Sequence, residues 1–314
     1  MNFKNQIPDG VYPVMLTPYT DDNTIDTPAL NRLVHWYASK GCTGLFALCT
    51  SSEIPFLSLK EKLLYLDETI KAAKETGKEM CIVASGHTSC SLEAQAEELT
   101  ALYEGGADVM CLVTNRLDQR HEGDKVWLEN AEKLLSLLPE DISLGLYECP
   151  SPYKRLISPE ILKWAKDTGK FRFIKDTCCD PVMLKERLDI VRGSELKLLN
   201  ANAQTYLYSL RLGARGYSSV MSNFHPELYA WITDNFEKYP ELAQHIQDIL
   251  CMTSFTEALH YPTTAKYYLN RLGVTMNVRS RSVNTIDVTP YEVEILNQLE
   301  HITQYVNNLI KHAK

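Results

Sequence analysis

The amino-acid sequence predicts an α/β chain folded as a (β/α)8 TIM barrel with a C-terminal helical extension. Three observations carry that expectation. Eight short apolar runs alternate with amphipathic stretches at a steady beat of about 30 residues. The first six runs are near-continuously apolar, as parallel strands covered on both faces must be. After Pro226 the pattern turns wholly helical.

The strand-like runs cover 11–17, 43–49, 80–85, 109–114, 142–147, 171–176, 196–200 and 216–220. Chemical punctuation marks the helices between them. Asp26-Thr27-Pro28 offers a capping carboxylate and a proline in the first turn, and Gly41 closes that helix. Ser58-Leu59-Lys60-Glu61 is a capping box ahead of a periodic stretch that stops before Gly77. Gly105-Gly106-Ala107-Asp108 ends a helix directly before the fourth strand, and Ser158-Pro159-Glu160 opens one that ends at Gly169. The tail reads as helices over roughly 226–238, 240–259, 262–272 and 289–312. No linker rich in Gly, Ser or Pro intervenes. The expected division is a barrel over 1–225 and a helical bundle over 226–314 packed on it. A doubly wound sheet is the competing architecture, but the first βα junction lacks its glycine-rich fingerprint.

Composition removes whole classes of function. The chain has 314 residues with 32 basic and 40 acidic side chains, a net charge of −8, and no basic block. Neither nucleic acid nor an anionic membrane surface is an expected partner. No run approaches the ~18 apolar residues of a membrane span, and Met1 to Gln6 hold no apolar signal core. Most of the nine cysteines sit inside apolar runs, which reads as reduced thiols in a cytoplasmic chain. There is no C-x-x-C, and the eight histidines show no ligand spacing, so no metal is expected. The adjacent Cys178-Cys179 pair reads as packing.

In a barrel of this kind the chemistry gathers at the C-terminal strand ends. Strand 6 ends in Lys175-Asp176-Thr177 and strand 5 in Tyr147-Glu148-Cys149-Pro150. Strand 2 ends in Cys49-Thr50-Ser51-Ser52-Glu53, strand 4 in Thr114-Asn115-Arg116 and strand 8 in Ser218-Ser219. A lysine at the edge of an apolar pocket loses solvation of its charged form, so its pKa falls and its amine can attack a ketone. The bland alternative is a lysine that reaches solvent from a strand end. Small hydroxyls and turn amides at 50–52 can hold a carboxylate, and a tyrosine can shuttle protons. Turn capping is the alternative use of Thr50 and Ser51.

These residues resemble the dihydrodipicolinate synthase / N-acetylneuraminate lyase family of class I aldolases, and the resemblance runs the full length. Leu16-Thr17-Pro18-Tyr19 and Thr24-Ile25-Asp26 are similar to the family's opening strand and loop. Cys49 to Glu53 stands where the family has G-[ST]-T-G-E. Tyr147-Glu148-Cys149-Pro150 resembles Y-N-x-P, and Ile174-Lys175-Asp176-Thr177 resembles I-K-D-[ST]. Gly213 to Gly216 with Ser218 to Asn223, and Tyr261-Pro262 with Lys266 and Gly273, are similar to the strand-8 segment and the tail. The resemblance implies Lys175 as imine former, Tyr147 as proton relay, and Thr50 and Ser51 as binders of the keto-acid carboxylate. It implies no cofactor beyond the covalent imine on Lys175, and a homotetramer built as a dimer of dimers.

Three departures bear on the reaction. Pro152 stands where the synthase branch has an arginine, with Lys154 and Arg155 close behind. Strand 4 ends in Thr114-Asn115-Arg116-Leu117 instead of T-P-Y-Y, so the synthases' interface tyrosine is missing and Arg116 puts a cation near the mouth, unless it pairs with Asp118. Cys49 and Ser52 replace the glycines of the strand-2 turn, and Ser52 either restricts it or adds a hydroxyl to the pocket. The resulting expectation is a lyase or aldolase acting on pyruvate or a related 2-keto acid, with an aldehyde or keto-sugar-acid partner. The alternatives are the synthase condensation, a dehydratase on the same imine, and a keto-acid-binding paralogue without turnover. Arg116, Ser52 and Ser218 are expected beside the substrate.

Overall fold

The computed structural model describes residues 3–283 and 287–312. Met1 and Asn2 of the N-terminus, and 284–286 and 313–314 of the tail, lie outside the described residues. Eight parallel strands form one sheet: β1 (Gly10–Val11), β2 (Gly44–Ala47), β3 (Cys81–Ala84), β4 (Val109–Val113), β5 (Leu144–Tyr147), β6 (Phe171–Asp176), β7 (Lys197–Asn200) and β8 (Gly216–Tyr217). Their order is β1-β8-β7-β6-β5-β4-β3-β2. The remaining seam closes where Val14 pairs in parallel with Phe46, whose N–H donates to the Pro13 carbonyl at 2.9 Å. The expected (β/α)8 barrel is therefore what the chain forms. β1 is shorter than the apolar run 11–17, because Pro13 has no N–H to give to a ladder.

Helices alternate with the strands: α1 (Thr27–Ser39), α2 (Leu59–Glu75), α3 (Leu92–Glu104), α4 (Asp124–Leu137), α5 (Pro159–Asp167), α6 (Pro181–Val191) and α7 (Tyr206–Leu212). The capping signals act as the sequence suggests. Asp26 accepts from the Ala29 N–H at 2.9 Å, and Ser58 and Glu61 exchange both bonds of a capping box. α8 (Pro226–Asn235) packs on β1 and completes the outer ring, so the eighth βα unit continues past residue 225. α9 (Pro240–Thr253), α10 (Thr263–Arg271) and α11 (Pro290–His312) follow. Among the described residues no helix is long and apolar enough to cross a membrane.

Strand alternation divides the apolar side chains into two cores. Leu144, Leu146 and Ile174 point outward into the layer shared with the helices. Tyr12, Phe46, Val83, Cys111, Val113, Phe173 and Leu199 point inward and fill the barrel, with Phe3 and Ile7 in the same cluster. Gly145 is required there: a Cβ would come within 2.6 Å of the Cys111 sulfur and 2.9 Å of the Phe173 carbonyl oxygen. The barrel is a packed interior, and only its C-terminal mouth is left for chemistry.

Candidate active site

Alternation along β6 sends Phe173 and then Lys175 inward, while Ile174 and Asp176 face the helices. Lys175 is only 7% exposed, with its Nζ 4.5 Å from the Tyr147 ring centre and 5.6 Å from that of Phe46. Burial pushes its amine below the usual lysine range, against the pull of the Cys49, Cys149 and Cys111 thiols and the Glu257 carboxylate. Tyr147 ends β5 beside it, its phenol held well above the usual range by burial. The Tyr147 hydroxyl lies 2.8 Å from the Thr50 hydroxyl, which in turn lies 3.0 Å from the Cys149 sulfur.

An ion cluster behind the strands fixes their ends. Arg187, on α6, is fully buried and binds both Asp176 and Glu148. Glu148 also accepts from the backbone N–H groups of Ile157 and Thr177, each at 2.7 Å. The residues immediately after Tyr147 and Lys175 are thus locked to one another from outside the barrel. Thr50 and Ser51 sit in a 3-10 turn, Thr50–Ser52, at the end of β2. Ser52 holds that turn: its hydroxyl donates to the Met15 carbonyl at 2.7 Å and accepts from the Cys49 N–H at 3.2 Å.

The mouth is a cavity of about 640 Å³ whose walls include Lys175, Tyr147, Thr50 and Ser51. Further polar groups on its wall include Lys154, Thr177, Ser219 and Glu257, with Cys179 also reaching it. Burial raises the Glu257 carboxyl above its usual range, while the Lys175 charge pulls it back. Glu257 and Tyr261 come from the segment between α9 and α10, so the tail builds one side of the pocket. It is tied down through Glu53, whose carboxylate accepts from Lys266, the Ser280 hydroxyl and the N–H groups of Arg281 and Ser282.

Four sequence expectations change here. Ser52 is fully buried and spent on its own turn, so it restricts the turn and adds no hydroxyl to the cavity. Ser218 is fully buried off the cavity wall, and its neighbour Ser219 lines the wall instead. Both lie just past β8, and the chain's entry into the 3-10 helix Val220–Asn223, whose N-cap residue is Ser219, is what brings Ser219 to the wall. Arg116 is half-buried in the 3-10 turn Thr114–Leu117 and does not line the cavity. Its expected partner Asp118 is taken by Arg155, which also pairs with Asp124. The cation at the mouth is Lys154. Cys179, read as packing, is exposed at the rim with φ +57°. Glu257 and Lys154 were not singled out for the wall; their place depends on loops that no local spacing encodes. Among the described residues no three His, Cys, Asp or Glu side chains are grouped to hold a metal ion.

A family model described as the dihydrodipicolinate synthetase family matches residues 7–305. The chain belongs to that family. Among relatives of this dihydrodipicolinate synthetase family member, the 4-hydroxy-tetrahydrodipicolinate synthase of Methanothrix thermoacetophila is 23% identical over 264 residues, spanning 82% of this chain and 85% of that one. A dihydrodipicolinate synthase of Acinetobacter baumannii, solved in complex with pyruvate, superposes with a TM-score of 0.81 at 20% identity, covering 95% of this chain and 99% of that one. A sialic acid aldolase of Ruminococcus gnavus, solved as a catalytic-lysine mutant, gives a TM-score of 0.82 at 13% identity over 96% of this chain and 97% of that one. At such identities the solved structures speak for the shared fold.

Proposed function

We propose that this chain is a Schiff-base lyase or aldolase acting on pyruvate or a closely related 2-keto acid. The observation that carries the reading is the Lys175 amine, buried and lowered in pKa beside Tyr147 in a cavity that also holds Thr50 and Ser51. The Acinetobacter baumannii synthase, solved with pyruvate, supports the keto acid as the ligand class.

The chemistry follows from the groups. The neutral amine attacks the keto carbon, and loss of water gives an imine. Protonated, that imine draws electrons from the adjacent carbon, so a proton there can leave and an enamine forms. The enamine carbon then bonds to the carbonyl carbon of an aldehyde, and the reverse sequence cleaves that bond. Tyr147 is the group placed to move the protons, with Thr50 behind it. Thr50 and Ser51 hold the carboxylate of the keto acid. Lys154, Thr177, Ser219 and Glu257 face the partner with one cation, two hydroxyls and one carboxylate, which suits a polyhydroxylated aldehyde or sugar-acid fragment. A 4-hydroxy-tetrahydrodipicolinate synthase-type condensation, favoured by the names of the relatives, uses the same imine and is the second reading.

Reduction with borohydride in the presence of pyruvate, followed by peptide mass analysis, tests the imine. The expected result is one adduct, on Lys175, absent from Lys175→Ala. An adduct at another lysine, or none, removes the proposal. Turnover against hydroxylated aldehydes and aspartate semialdehyde then separates the two readings.

A further inference from the structure

The carbon–carbon chemistry uses Lys175, Tyr147 and Thr50, and leaves the thiol beside them without a task. Cys149 is 4% exposed, and its sulfur lies 3.0 Å from the Thr50 hydroxyl and 3.3 Å from the Ser151 carbonyl oxygen. Its position is built by the fold. Directly after Tyr147 the backbone turns back on itself, with the Cys149 N–H donating to the Tyr147 carbonyl at 2.9 Å. The Asn115 amide, fully buried at the end of β4, then donates to three carbonyls of the same loop: Cys149 at 3.2 Å, Ser151 at 3.0 Å and Tyr153 at 2.7 Å. A sulfur held this way has a fixed partner in Thr50.

We infer that Cys149 is a positioning residue for proton transfer, orienting the Thr50 hydroxyl and through it the Tyr147 phenol. The inference rests on the imine reading of Lys175. Thr50 has one proton, and it faces Tyr147 on one side and sulfur on the other. In one arrangement the S–H donates to Thr50, Thr50 donates to Tyr147, and the Tyr147 proton is free to point into the cavity. In the other, Tyr147 donates to Thr50, Thr50 donates to sulfur, and the S–H turns to the Ser151 carbonyl. A Tyr147 lone pair then faces the cavity. No proton leaves the thiol in either case. The row of bonds reverses as a unit, so one phenol can offer a proton or receive one without moving its ring. Without the sulfur, Thr50 loses the partner that links these two arrangements.

The test needs no knowledge of the second substrate. Pyruvate bound as an imine exchanges its methyl protons with D2O, which proton NMR follows directly, and that exchange requires the Tyr147 proton step. Cys149→Val, close in volume but without a hydrogen-bonding atom, should slow exchange about tenfold, the worth of one hydrogen bond in the transfer step. The pyruvate concentration for half-maximal exchange and the borohydride adduct on Lys175 should stay as in the wild type. Cys149→Ala should slow exchange in the same way, and Cys149→Ser, which keeps a donor and an acceptor, should recover most of the rate. Wild-type exchange in the Val and Ala variants, with the adduct intact, overturns the inference and leaves the imine reading standing. Equal slowing in the Ser, Val and Ala variants also overturns it, since packing alone would then explain the loss. Failure of the wild-type chain to form the adduct overturns both.

Discussion

A single side chain sets the chemistry, and what distinguishes it is its surroundings. Lys175 shares the barrel interior with aromatic rings and four thiols, and burial is the largest influence on its amine. Because its pKa is lowered, the neutral, nucleophilic form accumulates at lower pH than for an ordinary lysine. Competitive labelling with trace acetic anhydride, read by peptide mass with the exposed Lys60 as internal reference, should therefore show Lys175 titrating below 10.5, its ordinary value. Titration at or above that value would mean that the amine is solvated and the pocket is not the one described. At this scale the sequence was informative where chemistry and strand end coincide, as at Lys175 and Tyr147. It failed where the answer depended on the course of a turn beyond a strand end. Ser218 and Ser219 carry the same side chain just past β8, and only the turn into the 3-10 helix Val220–Asn223 puts Ser219 on the cavity wall while Ser218 stays buried off it.

Elements are joined at the site by charge as well as by the sheet. β5 and β6 exchange a ladder that pairs Tyr147 with Lys175, and Arg187 of α6 clamps Glu148 and Asp176 just beyond it. Both carboxylates and the guanidinium are buried, so each depends on the others for its charge. Arg187→Met should cost roughly 3–5 kcal/mol, because it leaves two uncompensated carboxylates in the packed layer. Adding Glu148→Gln and Asp176→Asn to that variant should recover a large part of the loss. Urea midpoints for the single and triple variants check this, and a triple variant no more stable than Arg187→Met would remove the electrostatic account. The helices and strands themselves were legible beforehand because caps and apolar runs act locally, as Asp26 and Ser58 show. This clamp was not legible. Its members lie 11 and 39 residues apart, and only barrel closure brings them together.

The whole molecule depends on closing eight strands, and the β1–β8 ladder leaves no room for a side chain between its strands. Gly10 pairs with Gly216 there, at φ +137° and +155°. A Cβ on Gly216 would stand 1.8 Å from the Gly10 carbonyl oxygen, and that neighbour is backbone, which cannot swing aside. Gly213, three residues earlier, also has a positive φ, at +108°, yet nothing lies within 4 Å of where its Cβ would stand. The pair separates two costs. Gly213→Ala should destabilise by about 1 kcal/mol, the strain of an alanine in a left-handed conformation. Gly216→Ala should destabilise by roughly 3 kcal/mol or more, because strain is joined by a clash that pushes the closing strands apart. Parting β1 from β8 also displaces the end of β8, which leads into Ser219 and Val220 on the cavity wall. Pyruvate trapping on Lys175 should then weaken in Gly216→Ala and persist in Gly213→Ala, even at temperatures where both variants are folded. Equal urea midpoints and equal trapping in the two variants would mean that the barrel tolerates a wider β1–β8 spacing than its geometry implies.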